Sequence, residues 1–179
     1  MHWNEQPADF RYFPLADIFA KLPFTSALAL SWVAEAGITV LTAVAVKRGV
    51  YAHLSQQNIE MGGLLLGSVF RDTGTASIVS VDSFVPSEEF DGTGVSLRMG
   101  AAVWDKARAV QSEGRSVIGW YHSHPNLGVF FSGTDRRTQA AFFTQDHSLG
   151  LVVDPVRKQE MWFSGPSSVE VDQRQVLIL

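Results

Sequence analysis

Short apolar runs bounded by turn-forming residues alternate along this chain with segments in which apolar residues recur at helical spacing. A short run between glycine, proline or aspartate residues is typical of a buried strand, whereas spacings of three and four residues favour a helix. Interleaved strands and helices predict one domain of the α/β (α+β) class, in which helices flank a mixed, mostly antiparallel sheet. The predicted strands cover residues 38–41, 64–70, 78–84, 116–121, 149–153 and 160–163, and the predicted helices cover residues 43–57, 96–113 and 132–145.

The 179 residues are enough for one domain with a sizeable core. We predict that this domain covers residues 37–166. Residues 1–36 contain three prolines and several aromatic side chains that need cover, so we expect an extension that packs on the domain or on a partner. Residues 167–179 are predicted to form a tail or an edge strand.

The composition excludes several classes of protein. Hydrophobic residues make up 46% and charged residues 18% of the chain, which indicates a folded domain rather than a disordered one. The net charge of −4 and the lack of a basic block argue against nucleic acid as a partner. The chain has no cysteine, which excludes a disulfide framework, a thiolate metal site and a cysteine nucleophile. We expect a cytoplasmic protein, because the absence of disulfides suits a reducing compartment.

One segment has the length and apolar character of a membrane span. It runs from Ala27 to Val46, but Glu35 and Gly37 interrupt it. A carboxylate near the centre of a span costs about 2.5–3.5 kcal/mol even on insertion scales. The chain start also lacks the basic and apolar regions of a signal peptide. We therefore expect no membrane span.

The sequence His122-Ser123-His124 follows an apolar strand and is ended by Pro125. Side chains two residues apart in a strand lie on the same face, so both imidazoles can converge on one ion. Asp135 is a candidate third ligand, because it lies in the first turn of the next predicted helix. Three protein ligands and an open fourth position are typical of a catalytic zinc site. A ligand set of nitrogen and oxygen atoms is also compatible with iron or manganese.

Two further residues could complete a hydrolytic site. Glu60 is predicted to lie at the end of a helix, where the helix dipole disfavours a carboxylate, and this misfit indicates a functional role as a general base. Ser132 could donate a hydrogen bond to the oxyanion, a role in which one donor changes the rate by about 10²–10³-fold. The metal would lower the pKa of a water ligand to about 7.

Each of these residues also has a structural interpretation. Glu60 could be a solvated helix end, Ser132 and Asp135 could form a helix cap, and a lone histidine pair is more often found on a surface or in a core. The combined arrangement favours a metal site over these separate explanations. The remaining histidines have no such context and are interpreted as surface or helix residues. They are His2, His53 and His147.

The pattern resembles the JAMM motif of the MPN/JAB-domain (Mov34/PAD-1-like) zinc metalloproteases. Residues 119–125 read GWYHSHP, six residues follow, and residues 132–135 read SGTD. The upstream segment 60–67, EMGGLLLG, resembles the family's glutamate segment. Residues 135–139 and 152–155 also resemble deubiquitinases of the proteasome lid and the signalosome. The resemblance covers roughly residues 37–165.

The resemblance implies a single MPN/JAB-like domain with cytidine-deaminase-like layering and a Zn²⁺ cofactor. It implies that His122, His124 and Asp135 hold the metal, that Glu60 activates water, and that Ser132 stabilises the intermediate. The implied activity is that of a zinc isopeptidase that cleaves after the C-terminal glycine of a ubiquitin-like protein, in deconjugation or in maturation of a precursor.

The resemblance also implies where the substrate binds. The loop over residues 86–95 lies where the family has its first insertion, which implies substrate contacts at Phe84, Thr93, Gly94 and Val95. The second insertion and the spacer cysteine of several eukaryotic members are missing.

The expected partners are a ubiquitin-like protein or its conjugate and the activating and conjugating enzymes of a prokaryotic pathway, with a link to antiphage defence. We expect no nucleic-acid and no membrane partner. Two alternatives stay open, a non-catalytic MPN scaffold and a JAB peptidase that processes sulfur-carrier proteins.

Overall fold

The structure, a computed structural model, describes residues 10–34, 37–74, 76–88, 101–111 and 114–179. The first part of the described chain is a short strand followed by two helices. They are β1 (Tyr12–Phe13), α1 (Leu15–Lys21) and α2 (Phe24–Val33). A proline immediately precedes each helix, where its fixed φ angle is compatible with a helix start and its missing N–H is not needed.

The next segment contains the first long strands. It comprises β2 (Ile38–Thr42), α3 (Val44–Leu54), β3 (Gly62–Arg71) and β4 (Ser77–Pro86). The prediction that this helix continues to residue 57 and ends near Glu60 is wrong. The N–H and the hydroxyl of Ser55 both bind the Tyr51 carbonyl, at 3.0 and 2.7 Å, and this local capping ends the helix at Leu54. Glu60 lies in the irregular segment directly before β3.

The remaining elements carry most of the candidate site. They are α4 (Ala101–Val110), β5 (Ser116–Ser123), α5 (Gly133–Phe142), β6 (Leu149–Asp154), β7 (Gln159–Ser164), β8 (Val169–Glu170) and, after a single 3₁₀ turn, β9 (Val176–Ile178). The predicted start of α4 at Ser96 and its predicted end at Glu113 lie outside the described residues.

Within the described chain, the strands form one curled mixed sheet. Its order is β8-β7-β6-β5-β3-β4-β2-β9, and β1 pairs with the end of β3. The longest ladders, β3–β4 and β3–β5, are antiparallel, as are β6–β7 and β7–β8. The pairs β1–β3, β2–β4, β2–β9 and β5–β6 are parallel. The predicted fold class, a mixed sheet flanked by helices, is confirmed.

Helices cover both faces of the sheet and create two main cores. On one face, α3 packs Val46, Val50 and Leu54 against β3, β4 and β5. On the other face, Val103 and Ala107 of α4 pack against Leu64, Trp120 and their neighbours. Side chains of β5 therefore alternate between the two cores, since Trp120 faces α4 and Tyr121 faces α3. This alternation decides which side each residue of the His-x-His sequence faces.

The described part of the N-terminal extension packs on the domain through a third core. Ile18 of α1 and Leu30 of α2 are buried against Leu41, Phe70 and Ile78 of the sheet. The domain boundaries at residues 37 and 166 stay a prediction. None of the helices in the described ranges is both long and apolar enough to cross a membrane.

Candidate metal centre

Two neighbouring strands and one helix start bring the candidate residues together. His122 lies near the end of β5, His124 follows that strand, and Asp135 lies in the first turn of α5. The antiparallel pairing of β3 with β5 places Gly62 opposite His122. The segment that carries Glu60 therefore arrives at the same end of the sheet as the histidines.

The three candidate ligands point their donor atoms at one another. His122 Nε2 lies 3.2 Å from His124 Nε2 and 3.3 Å from Asp135 Oδ1, and His124 Nε2 lies 3.6 Å from Asp135 Oδ2. Two ligands bound tetrahedrally to zinc at 2.0–2.1 Å are about 3.3–3.5 Å apart. The separations thus fit a single small cation between the three side chains. Within the described residues, these three side chains form a group that could hold a metal ion, because their ligand atoms all lie within 4.8 Å of one another.

The Asp135 side chain caps α5 and also faces the two histidines. Its Oδ2 atom accepts the Ser132 N–H at 2.6 Å, and its own N–H donates to Ser132 Oγ at 3.2 Å, which completes a capping box at the start of α5. Burial alone would raise the pKa of this carboxyl, but hydrogen bonds and charge from His122, together with the bonds from Ser132, outweigh it and lower the pKa to about 2. The carboxylate is therefore ionised at neutral pH, as a metal ligand requires.

The imidazole of His122 is held by an aromatic stack. Its ring lies parallel to the Trp120 ring, with centroids 4.5 Å apart and planes inclined by 8°. The indole N–H of Trp120 donates to Gln139 Oε1 at 2.6 Å. Gln139 is fully buried and its amide donates to the carbonyls of Ser148 and Gly165. Because Gln139 lies one turn after Asp135 on α5, the same helix supplies a candidate ligand and the support for another.

The backbone around His124 is held by β6 and by the turn that follows it. The His124 N–H donates to the Val153 carbonyl at 2.9 Å. The buried carboxylate of Asp154 accepts the N–H groups of Asn126 and Gly128 on one side, at 3.0 and 2.9 Å, and those of Val156 and Arg157 on the other. Asp154 therefore ties the loop after His124 to the β6–β7 turn.

Burial, and to a smaller extent the neighbouring His122, lower the pKa of His124 to about 4. The imidazole is therefore neutral at pH 7, and the neutral form is the one that binds a metal. The Phe130 ring lies 4.9 Å from the His124 ring and is 49% exposed, so it forms an apolar rim beside the centre.

Glu60 and Ser132 lie beside the ligand trio rather than within it. The Glu60 Oε1 atom is 3.8 Å from His124 Nε2, and the side chain is only 12% exposed. Burial raises the pKa of Glu60, partly opposed by the charge of His122. Ser132 uses its oxygen to accept the Asp135 N–H, and this bond does not use the hydroxyl hydrogen of Ser132.

Of the predicted substrate contacts, only Phe84 belongs to the described residues, and it lies away from this cluster. Phe84 lies on β4, half-buried against the Tyr121 ring and over Gly49 of α3. The predicted contacts at Thr93, Gly94 and Val95 lie outside the described residues, as does His2. The interpretation of His147 as a surface or helix residue is wrong. It is 2% exposed in the turn after α5, because Phe10 and Tyr12 of the N-terminal segment pack on its ring.

Sequence reasoning missed several supporting residues. They are Trp120, Ser123, Gln139 and Asp154. Trp120 lies two residues before His122 and therefore on the same face of the strand. Ser123 and Asp154 lie within the segments that carry the family resemblance, but their hydrogen-bond partners lie far away in the sequence, so no local pattern predicts what they do.

A curled sheet between helices, with two histidines from one strand and an aspartate from the next helix start, defines a domain with a candidate mononuclear metal centre of nitrogen and oxygen ligands. A family model described as prokaryotic homologs of the JAB domain matches residues 42–164, more than half of the chain. The chain belongs to this family.

Curated proteins with similar sequences include subunits of two large complexes. The chain is 36% identical over 104 residues to 26S proteasome non-ATPase regulatory subunit 14 of Caenorhabditis elegans, covering 55% of this chain and 32% of that protein. It is 32% identical over 124 residues to COP9 signalosome complex subunit 5 of Dictyostelium discoideum, covering 65% and 36%. It is 37% identical over 107 residues to ubiquitin carboxyl-terminal hydrolase RPN11 of Saccharomyces cerevisiae, covering 55% and 32%. The chain thus spans about one third of the length of these relatives.

A solved structure supports the fold. The solution structure of a protein from Desulfitobacterium hafniense has a TM-score of 0.60 with this chain and 20% sequence identity, covering 78% of this chain and 92% of that one. At this level of sequence identity, the similarity supports the fold alone.

Proposed function

We propose that this chain is a zinc-dependent isopeptidase that cleaves after the C-terminal glycine of a ubiquitin-like protein. The bond cut would join that glycine to a lysine or to a short C-terminal extension. The proposal rests on one observation. The donor atoms of His122, His124 and Asp135 converge at zinc-like separations, and the partly buried carboxylate of Glu60 lies 3.8 Å from one of them.

Each residue has a stated role in this proposal. His122, His124 and Asp135 hold the ion. Zn²⁺ bound there would supply Lewis acidity, which activates water and polarises a carbonyl group. Glu60 accepts the proton of the attacking water and passes it to the leaving nitrogen, a role that suits a carboxyl whose pKa is raised by burial. The free O–H of Ser132 donates to the oxygen on which negative charge develops.

The name of one relative supports the proposed substrate class. The yeast relative is named a ubiquitin carboxyl-terminal hydrolase, which supports a ubiquitin-like substrate for this chain. We extend the proposal to Phe84, Thr93, Gly94 and Val95 as substrate contacts. Because the matching family is prokaryotic, the further proposed partners are the activating and conjugating enzymes of a prokaryotic ubiquitin-like pathway, with a link to antiphage defence.

The test combines metal analysis with one substitution. Purified protein should contain about one zinc ion per chain and should cut a peptide extension from the C-terminus of ubiquitin after the terminal glycine. Glu60→Gln should lower kcat by about 10²–10⁴-fold, because the general base is lost, and should leave the zinc content unchanged. Glu170→Gln, an exposed glutamate on β8, is the matched control and should leave both unchanged.

Three outcomes would contradict parts of the proposal. Protein that binds no metal would instead be a non-catalytic scaffold. Normal cleavage by Glu60→Gln would remove Glu60 from its role as base. Cleavage of the same extension from a sulfur-carrier protein but not from ubiquitin would replace the substrate class.

A further inference from the structure

Ser123 lies between the two candidate ligand histidines, but its side chain faces the opposite side of the strand. Trp120 packs in the core that contains α4, and His122 stacks on it, whereas Tyr121 packs in the core that contains α3. By the alternation of the strand, Ser123 lies on the same side as Tyr121. Ser123 is fully buried, with 0% of its surface exposed. It is therefore in no position to touch an ion held by the histidines. Its hydroxyl contacts the segment that carries Glu60.

Two backbone groups on either side of Glu60 bind this one hydroxyl. Ser123 Oγ accepts the Met61 N–H at 3.0 Å and donates to the Ile59 carbonyl at 3.3 Å, with the Met61 carbonyl slightly farther away at 3.5 Å. The backbone N–H of Ser123 also donates to the Met61 carbonyl at 2.8 Å. The residues before and after Glu60 are thus attached to a single residue of β5.

The position of the Glu60 carboxylate depends on its backbone. Its Oε1 atom is 3.8 Å from His124 Nε2, which is beyond hydrogen-bonding distance. The ladder between β3 and β5 begins only at Gly62, and α3 ends at Leu54. The segment over residues 59–61 belongs to neither element, so contacts such as those with Ser123 must fix it.

We propose that Ser123 is a positioning residue that sets the Glu60 carboxylate relative to the two histidines. This inference rests on the proposed function, in which Glu60 is the base. The end of β5 and the residue after it then carry the two histidines on one side, and Ser123, which supports the base, on the other. A displacement of about 1 Å in a catalytic group lowers a rate by about 10²-fold, so this support matters for activity even where it adds little to stability.

The test uses Ser123→Ala and Ser123→Thr in the zinc-loaded full chain, with ubiquitin bearing a C-terminal extension as substrate. Ser123→Ala should lower kcat by about 10–100-fold, with an unchanged KM and one zinc ion per chain. Ser123→Thr keeps a hydroxyl and should restore kcat to near the wild-type value. Ser68→Ala is the matched control, because it removes another serine hydrogen bond from a strand, to the Gly114 carbonyl, and should leave kcat unchanged.

Two further measurements separate positioning from general support. Hydrogen exchange of the Met61 amide should become faster in Ser123→Ala, while amides in the rest of β3 and β5 stay protected. In a double-mutant cycle, Ser123→Ala should change the residual rate of Glu60→Gln by less than about twofold, because both changes act through the same carboxylate.

The outcomes distinguish this inference from the proposed function. A wild-type chain that cleaves nothing would overturn the proposed function. An active wild type with an unchanged Ser123→Ala variant would overturn the role of Ser123 alone. Loss of zinc, faster exchange along all of β5 or failure of Ser123→Ala to fold would show that Ser123 supports the strand rather than the base, and would equally overturn it.

Discussion

The candidate metal centre and the two N-terminal helices differ in the side chains that they bury, which are polar at the centre and apolar in the helices. At the centre, the polar side chains of His122, His124 and Asp135 are buried and face one another. In α2, an apolar helix without a charged residue buries Leu30 completely but leaves Phe24 81% and Trp32 73% exposed. Burying polar groups costs free energy unless they are paired, whereas burying Leu30 is favourable by itself.

This difference predicts that the candidate centre controls activity and that the N-terminal core controls stability. Substitutions at the centre should change metal binding and activity more than folding, and substitutions in the N-terminal core should do the reverse. The sheet joins the two regions. Leu30 packs against Leu41 and Ile78, which lie on strands that carry none of the candidate ligands, so the contact between the regions is indirect. Three substitutions test whether the two regions are separate in this way.

The largest effect is expected for Asp135→Asn. An asparagine oxygen can still accept the Ser132 N–H, so the start of α5 should persist, but the negative charge that faces the histidines is lost. Activity should fall by about 1,000-fold or more, because the metal contributes several kcal/mol to such reactions, and titration against a chelator should show weaker zinc binding. Asp17→Asn, an exposed aspartate in the first turn of α1, is the matched control. A folded Asp135→Asn variant with wild-type zinc affinity would disprove the role of Asp135.

A smaller effect, on stability, is expected for Leu30→Ala. Removing a completely buried leucine should lower the free energy of unfolding by about 2–5 kcal/mol, because a cavity is left behind. Leu28→Ala changes the same residue type on the same helix at a position that is 42% exposed, and should alter stability by less than about 0.5 kcal/mol. Chemical unfolding gives both values. If Leu30→Ala loses activity while it is still fully folded, the two regions are coupled and the separation fails.

The smallest effect is expected for Asp154→Asn, and it should depend on pH. Burial raises the pKa of this carboxyl, but the N–H groups of two loops outweigh burial and lower it below its usual range. A lowered folded pKa stabilises the protein above the unfolded pKa, about 3.9, and this contribution is lost as the pH falls through the folded pKa. The variant should therefore be less stable than wild type by about 1.5–3 kcal/mol at pH 7.

The difference between Asp154→Asn and wild type should shrink as the pH is lowered below about 4. Urea unfolding at several pH values measures this difference. Asp82→Asn, an exposed aspartate on β4, serves as the control. A difference that stays constant across the pH range would mean that the Asp154 charge does not hold the two loops.

Local patterns were sufficient to predict the elements that carry the centre. The alternation of β5 places His122 and His124 together, and the cap sequence places Asp135 in the first turn of α5. These features depend on residues only a few positions apart, for which periodicity and capping rules apply. The resulting fold class is confirmed, while the roles of the individual side chains stay predictions.

Contacts between distant parts of the chain could not be predicted in this way. Ser123 contacts Met61 across 62 positions, and Asp154 contacts Gly128 across 26. The early end of α3 was also missed, because it depends on the hydroxyl of Ser55 binding within its own last turn, where serine competes with the helix for backbone groups. The burial of His147 depends on the N-terminal segment that covers it, which no pattern around His147 reveals.

The carboxylate of Asp135 begins a helix and at the same time faces two imidazoles. A cysteine or histidine in its place would offer a softer donor, but neither would reproduce the carboxylate that accepts the Ser132 N–H. Replacing the oxygen donor by sulfur or by an imidazole nitrogen would therefore weaken the first turn of α5. The start of the helix therefore restricts residue 135 to an oxygen donor. A candidate centre that preferred thiolate-binding ions would need a different cap for α5.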